Sequence, residues 1–226
     1  MKSKTTFIIT IDGTSSSGKS TISRLLAKKL NFKLLDSGKL YRSAGYIVSK
    51  SVTKVDSSID YKKLISQISL KPNHDTYEYQ VYFENQVIDS YLYTEDVGKA
   101  ASVVSKIAEV RECMFNLQHS CVHGLGLIAN GRDMGTEVFP DAPLKIYIDA
   151  DPEIRAKRRL NELLNKGENV TFKNIYDSLM KRDDSDMNRE LSPLKIPNNG
   201  HIIDTSHLKA DAIVDKILNL YTITSN

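Results

Sequence analysis

Eight residues near the start of the chain combine the types that hold polyphosphates. Gly13, Thr14, Ser15, Ser16, Ser17, Gly18, Lys19 and Ser20 fit the pattern glycine, four free positions, glycine, lysine, serine or threonine. In such a run small residues let backbone N–H groups converge on one anion. The lysine then reaches the outer phosphates and the last hydroxyl meets a magnesium ion. The setting matters as much as the string. The apolar run over 6–11 predicts a buried strand before the loop, and Ile22, Leu25, Leu26 and Leu30 recur at helical spacing after it. A strand, a loop and a helix start bring the positive end of a helix dipole to the anion. A flexible Ser/Gly turn is the plain alternative, and both flanks speak against it.

A second set follows at Ser37, Tyr41 and Arg42. Arginine offers a planar fork that matches phosphate oxygens, and a hydroxyl and a phenol donate single bonds, so the three suit a phosphate monoester. Ser37 and Tyr41 stand i,i+4 and can face one side of a helix beginning near Gly38. Ser37 as a mere helix cap, with Arg42 in solvent, is the competing reading. Three arginine groups lie further on. Arg132 and Asp133 follow a predicted strand; Arg155, Arg158 and Arg159 share a helical face; Arg182, Asp186 and Arg189 align at i, i+4, i+7. Arg155 and Arg159 read as solvated surface charge. The group at 182–189 reads as functional, because phosphoryl transfer needs cations around a γ-phosphoryl whose charge spreads in the transition state.

The elements that must position these residues alternate. Strand-like runs at 32–36, 126–130, 144–149 and 201–204 each end in a polar or acidic residue, at the edge where open α/β sheets bind ligands. Helices are predicted near 95–119, 152–165 and 172–188, and Ile213, Val214, Ile217, Leu218 and Tyr221 form a stripe on a last one. This is an α/β pattern, a parallel sheet with helices on both faces. Residues 66–93 break it. Tyr77, Tyr79, Val81 and Phe83 alternate, Glu84 and Asn85 supply a turn, and 86–88 follow as a second run. The expectation is a small, mobile antiparallel β-subdomain inserted in the α/β fold, with an edge hairpin on the main sheet as the alternative.

Composition narrows the classes. In 226 residues, 31 basic side chains nearly balance 28 acidic ones, leaving a net charge of +3. A nucleic-acid protein would show a basic face without matching acids, so a compact polyphosphate is the expected partner. No apolar stretch approaches membrane-spanning length, and the first residues lead into a strand rather than a signal peptide, which points to the cytoplasm. Cys113 and Cys121 are the only cysteines. Read on one helix they lie about 12 Å apart, too far for a disulfide, so both are expected buried and reduced. His119 and His123 could share a helical face, but two ligands do not close a zinc site.

The chain lacks a guanine-reading Asn-Lys-x-Asp turn, since Asn165 and Lys166 precede Gly167 and Glu168. Four stretches instead resemble the bacterial cytidylate kinases, within the nucleoside monophosphate kinases. They are residues 11–21 around the phosphate loop and 35–42 (Leu-Asp-Ser-Gly-Lys-Leu-Tyr-Arg), then 131–142, opening Gly-Arg-Asp-Met-Gly-Thr, and 182–189 with Pro193 and Leu194.

That resemblance implies phosphorylation of CMP and dCMP by ATP with Mg2+, in a monomer acting on small molecules. Residues 13–21, from Gly13 to Thr21, would hold the ATP phosphates, with the metal hydroxyl from Ser20 or Thr21. Ser37, Tyr41 and Arg42 would hold the acceptor phosphate, with Arg132 near it. Ser102, Arg111 and Asp133 would read cytosine. Arg182 and Asp186 would meet the ribose, Arg189 the phosphates, and Arg158 would act from a closing lid near 152–168. Lys19, Arg132, Arg158 and Arg189 would be the catalytic cations. The core would be 1–36 and 95–226, and 37–94 the monophosphate-binding region. Three positions depart from the family pattern: Thr14 for proline, Lys39 for a small apolar residue, and Ser20 for glycine. Lys39 is expected to alter the electrostatics of the acceptor site. A kinase of another small acceptor and a non-catalytic nucleotide sensor are the competing readings.

Overall fold

The computed structural model describes residues 6–51 and 59–225. The reading of residues 1–5 as a lead into a strand lies outside them.

Ile9 and Ile11 are fully buried, and the strand that carries them, β1 (Phe7–Gly13), is the middle strand of a five-stranded sheet. It pairs in parallel with β6 (Gly126–Asn130) on one side and β7 (Leu144–Asp149) on the other. β2 (Lys33–Asp36) and β8 (His201–Asp204) close the edges, giving the order β2-β6-β1-β7-β8. Parallel strands need covered faces, and both faces are covered. On one, α1 (Lys19–Leu30) and α8 (Ala210–Ser225) pack Ile22, Leu26, Ile213 and Ile217 against Ile9, Ile11, Ile128 and Ile146. On the other, α2 (Ser37–Ser51), α4 (Glu95–Val104) and α5 (Ala108–His119) bring Leu40, Ile47, Val104 and Met114 onto Leu35, Leu127 and Ala129. α6 (Pro152–Asn165) and α7 (Phe172–Asn188) pair through a separate small cluster, Ala156, Leu163, Ile175 and Leu179.

The inserted β-subdomain is present and larger than a hairpin. After the short α3 (Tyr61–Ile65), β3 (Ile68–Pro72), β4 (Tyr79–Phe83) and β5 (Gln86–Val87) form a separate antiparallel sheet. Glu84 and Asn85 take φ of 49° and 64°, the left-handed pair that a two-residue hairpin turn requires. Tyr77 belongs to no strand. Its φ is 65°, and its carbonyl accepts from Leu34 N–H at 2.8 Å beside a single bridge, Leu34 to Glu78, that joins the insert to the edge of the main sheet.

The stretch read as one helix over 95–119 is two. Thr94 caps the first by accepting from Val97 N–H, and the backbone turns extended at Ile107, with ψ 122°. Two β-branched residues and Ser105 end that helix, where side-chain stiffness and a competing hydroxyl disfavour continuation. The carbonyl of Ser105 is met by Arg111 at 3.4 Å. The cysteines do not share a helix, because α5 ends at His119: Cys121 lies beyond it, buried, and Cys113 is only partly buried. Both are free, and desolvation pushes the Cys121 thiol up to about 12, an inert group. The two histidines part as well, His119 on the Val138 carbonyl and His123 beside the Tyr79 hydroxyl.

Candidate active site

The phosphate-loop string sits at the carboxyl end of the central strand and wraps the start of α1. Gly13 has φ 145°, and a Cβ there would stand 1.8 Å from the Ile148 carbonyl oxygen, so no side chain fits. Ser16 and Gly18 are left-handed, at φ 58° and 97°. Lys19 is almost fully buried, its ammonium on the Thr14 carbonyl and 3.4 Å from Ser17 Oγ. Desolvation, then the charges of Arg132 and Arg182, hold its pKa well below the usual lysine value. An arriving polyphosphate would relieve that crowding.

Groups that the motif does not contain fix the loop from behind. Thr14 Oγ1 donates to Asp149 at 2.6 Å, and Ser15 N–H donates to Asp183 at 3.1 Å. Arg155 is buried, paired with Asp183, and donates to the Ser15 and Ala150 carbonyls at 3.1 and 2.9 Å. The expectation of a solvated Arg155 was wrong. Its helix starts where β7 ends, and that turns its first inward side chain under the loop. Thr205, just past β8, donates to the Ser17 carbonyl at 2.8 Å, and Arg158 donates to Thr205. Arg158 thus stands behind Ser17 rather than free in solution. Ser20 Oγ accepts from Asn130 at 3.4 Å, at the end of β6, whereas Thr21 is exposed on α1. A hydroxyl and an amide oxygen are hard neutral donors, which suits a Mg2+ ion that arrives on phosphates and keeps waters. Among the described residues no cluster of three or more acidic, His or Cys side chains is poised for a metal.

Across the cleft, side chains from distant segments meet. Asp133 pairs with Arg111 from α5 and lies 3.5 Å from Arg189 at the end of α7. Arg132 donates to Asp186 at 2.8 Å and to Ser15 Oγ at 3.0 Å, so it spans from the phosphate loop to α7. Against the desolvation that would raise it, Arg132 and Arg182 hold the Asp186 carboxyl below its usual value. Arg182 makes no ion pair among the described residues; desolvation and Arg132 push it down to about 10, still a cation at neutral pH. One Arg189 nitrogen is buried without a hydrogen-bond partner. The cleft therefore carries surplus positive charge.

Beside the Asp133 pair lies a cavity of about 230 Å³ lined by Tyr41, Arg111, Phe115, Gln118 and Val138 among others. The Arg111 guanidinium sits 5.5 Å from the Tyr41 ring centre, and burial pushes the Tyr41 phenol up to about 12. Ser37 is buried and accepts at 2.9 Å from Gln118, which lines the cavity. The helix cap is Asp36, which accepts from Lys39 N–H at 3.3 Å. A larger hollow of about 490 Å³ between β8 and α8 has no phosphate loop or arginine on its wall.

Two expected members stand apart. Arg42 donates to the Leu92 carbonyl at 3.0 Å and lies over Tyr93, while Ser102 is exposed on α4 with no hydrogen bond to the Arg111–Asp133 pair. Lys39 does not face the acceptor cavity. Its buried ammonium reaches the Tyr79 carbonyl at 2.9 Å, Asp89 at 2.5 Å and Glu78 at 3.7 Å, which bolts α2 to the insert. Gln118, Asp149, Asp183 and Thr205 were missed. Only Asp149 left a signal, as the acid that ends a strand-like run.

A family model described as cytidylate kinase matches residues 9–223. The chain belongs to the cytidylate kinase family. It is 37% identical over 93% of its length to a cytidylate kinase of Aeromonas salmonicida (strain A449), 92% of which is covered. It is 38% identical over 94% of its length to one of Shewanella baltica (strain OS155), with 93% covered. The cytidylate kinase 1 of Haemophilus influenzae is 37% identical over 93% of this chain and 91% of its own. Family membership makes the chain a kinase with a nucleoside monophosphate kinase role. Among solved structures, an uncharacterized protein from Eubacterium ventriosum superposes with a TM-score of 0.53 at 16% identity, covering 95% of this chain and 97% of that one. That likeness concerns the fold. Among the described residues no helix is long and apolar enough to cross a membrane.

Proposed function

We propose that the protein transfers the γ-phosphoryl of ATP to CMP and dCMP, giving CDP and dCDP. The observation that carries this reading is Arg132, which joins Ser15 of the phosphate loop to Asp186 of the opposite wall and so lies between donor and acceptor. Residues 13–21 bind the ATP phosphates; Lys19 neutralises the transferring group. Ser20, beside Asn130, would hold a Mg2+ ion, which would supply charge neutralisation to the donor phosphates. Arg132 and Arg189 meet the charge that spreads onto the transferring oxygens. Arg158, behind Ser17, supports that cation set from the lid near 152–168, which closes against the core at 1–36 and 95–226. Residues 37–94 form the monophosphate-binding side.

The acceptor base enters the cavity beside Asp133. Cytosine presents an amine donor next to N3 and O2 acceptors, so Asp133 takes the amine and Arg111 answers an acceptor. Uracil has a carbonyl where the amine stood and leaves the carboxylate facing an oxygen. Tyr41 closes one wall and Ser37, Arg42 and Arg189 take the acceptor phosphate; Arg182 and Asp186 meet the ribose, and Ser102 approaches the base from α4. Arg42 and Ser102 must turn toward the ligand to do so. No general base is required, since the acceptor phosphate already carries a nucleophilic oxygen and alignment with charge neutralisation suffices. Coupled-assay turnover of CMP, dCMP, UMP and AMP with MgATP tests the reading. Turnover of CMP and dCMP well above the others is expected; absence of CMP turnover overturns it.

A further inference from the structure

Asp12 is buried with no exposed surface, one residue before the phosphate loop, and neither the loop nor the arginine set uses it. Its two carboxylate oxygens divide between two consecutive backbone amides. Oδ1 accepts from Met134 N–H at 2.8 Å and Oδ2 from Gly135 N–H at 2.7 Å. These amides open a single π-turn over Met134–Val138, closed by Val138 N–H on the Asp133 carbonyl at 3.1 Å and Phe139 N–H on Met134 at 2.7 Å. The first amides of any such turn have no partner within it and need an outside acceptor. Asp12 is that acceptor. A third bond, Gly131 N–H to the Ile11 carbonyl at 3.0 Å, ties the same loop to the same strand end.

The two residues between these anchor points are Arg132 and Asp133. On its other side Asp12 adjoins Gly13, whose close approach to Ile148 leaves no room to drift. One carboxylate therefore connects the loop around the donor phosphates to the segment that carries the acceptor-side pair. We infer that Asp12 is a positioning residue that sets the spacing between the phosphate loop and the Arg132–Asp133 pair, and through it the affinity and choice of the acceptor nucleotide. This rests on the function proposed above. An asparagine at this position has the same size but one acceptor oxygen, and its NH2 group would face the second amide. The segment would then lose an anchor, and a shift of an ångström at a positioning group changes rates steeply.

The test is steady-state kinetics of the full chain and of Asp12→Asn with CMP, UMP and ATP, with circular dichroism to confirm folding. The expected result is a KM for CMP raised roughly 10-fold or more, a KM for ATP within about 2-fold, and a CMP-over-UMP ratio of kcat/KM lowered roughly 5-fold. An unchanged CMP KM and ratio, or equal rises for both nucleotides, overturns the inference. Gly135→Ala probes the same anchor without altering Asp12, because its methyl would stand 2.7 Å from Thr10 Oγ1 and push the amide away. The same split is expected there, and should Asp12→Asn not fold, that variant decides. Wild-type turnover of CMP in the same assay separates the two readings: an active wild type with variants that show no split overturns the role of Asp12 alone.

Discussion

In the loop at 13–20, backbone amides and small hydroxyls are the proposed binding groups, and the groups that fix its shape are satisfied inside the protein by Asp149, Asp183, Arg155 and Thr205. Across the cleft the working groups are long charged side chains from α5, α7 and the segment after β6. Asp133 and Asp186 hold their arginines in place of a ligand, with Arg182 left over. One region is a cradle whose geometry is set before substrate arrives. The other is a set of ion pairs that, under the proposed function, a mononucleotide would enter and rearrange. Backbone amides cannot be exchanged by point mutation, whereas side-chain pairs can be retuned, so under the proposed function the pairs would carry the selectivity for the acceptor.

Lys19→Ala is expected to break the donor side outright. Turnover should fall by roughly 10³-fold, as when a preorganised charge is removed from a transition state, with the loss equal for every acceptor. A coupled assay and circular dichroism check both halves, and a loss that depends on the acceptor would blur the contrast between the regions. Asp133→Ala is expected to strike the other side alone. The CMP-over-UMP preference should shrink by roughly 10- to 100-fold, the equivalent of about 1–3 kcal/mol for an unmet polar group, while the KM for ATP stays level. Ratios of kcat/KM measure it, and an unchanged ratio removes Asp133 from base reading.

Lys39→Ala sharpens the boundary between acceptor site and insert. Because Lys39 faces Asp89 and Glu78 rather than the cavity, its loss should cost about 1–3 kcal/mol of stability, since Asp89 and the Tyr79 carbonyl lose a partner while Glu78 keeps Arg24. Denaturant unfolding reads that loss, and a raised CMP KM without a stability change would return Lys39 to the acceptor site. The last expected effect concerns pH. Burial, with Asp133 adding to it and the Met134 and Gly135 amides, Lys19 and its field opposing, pushes Asp12 up from 3.8 to about 7; Tyr147 lies nearby as a neutral phenol. The folded state thus holds the Asp12 proton more tightly than the unfolded chain. This contribution is intact below about pH 4, declines as pH rises toward 7 and is flat above it. Asp12→Asn lacks that slope. Between pH 5 and 8 the wild type should lose roughly 3 kcal/mol relative to the variant, measured by unfolding at both values. Parallel stabilities would show Asp12 ionised throughout.

How much was legible differs between the two regions. The phosphate loop is contiguous, and its string, strand and helix could be read directly; so could the sheet runs and α6 and α7. The acceptor side was reached mainly through the family resemblance, since Arg111, Asp133 and Asp186 lie far apart and nothing local marks them as partners. Lys39 and Arg155 were misjudged for one reason: a charged side chain shows its type in the sequence but not its direction. The break at Ser105 was missed because apolar spacing continues through it.

Sequence alone determined the strand, loop and helix of the candidate phosphate site, the alternation that builds a parallel sheet, and the presence of an antiparallel insert, because these depend on neighbours a few residues apart. Tertiary structure decided which carboxylate meets which arginine, where Lys39 and Arg155 point, and that Asp12 anchors the turn at 134–138. The Asp12 anchor depends on strand order, β6 flanking β1, which brings together segments more than a hundred residues apart, and the ion pairs depend on how the helices pack over the strand ends.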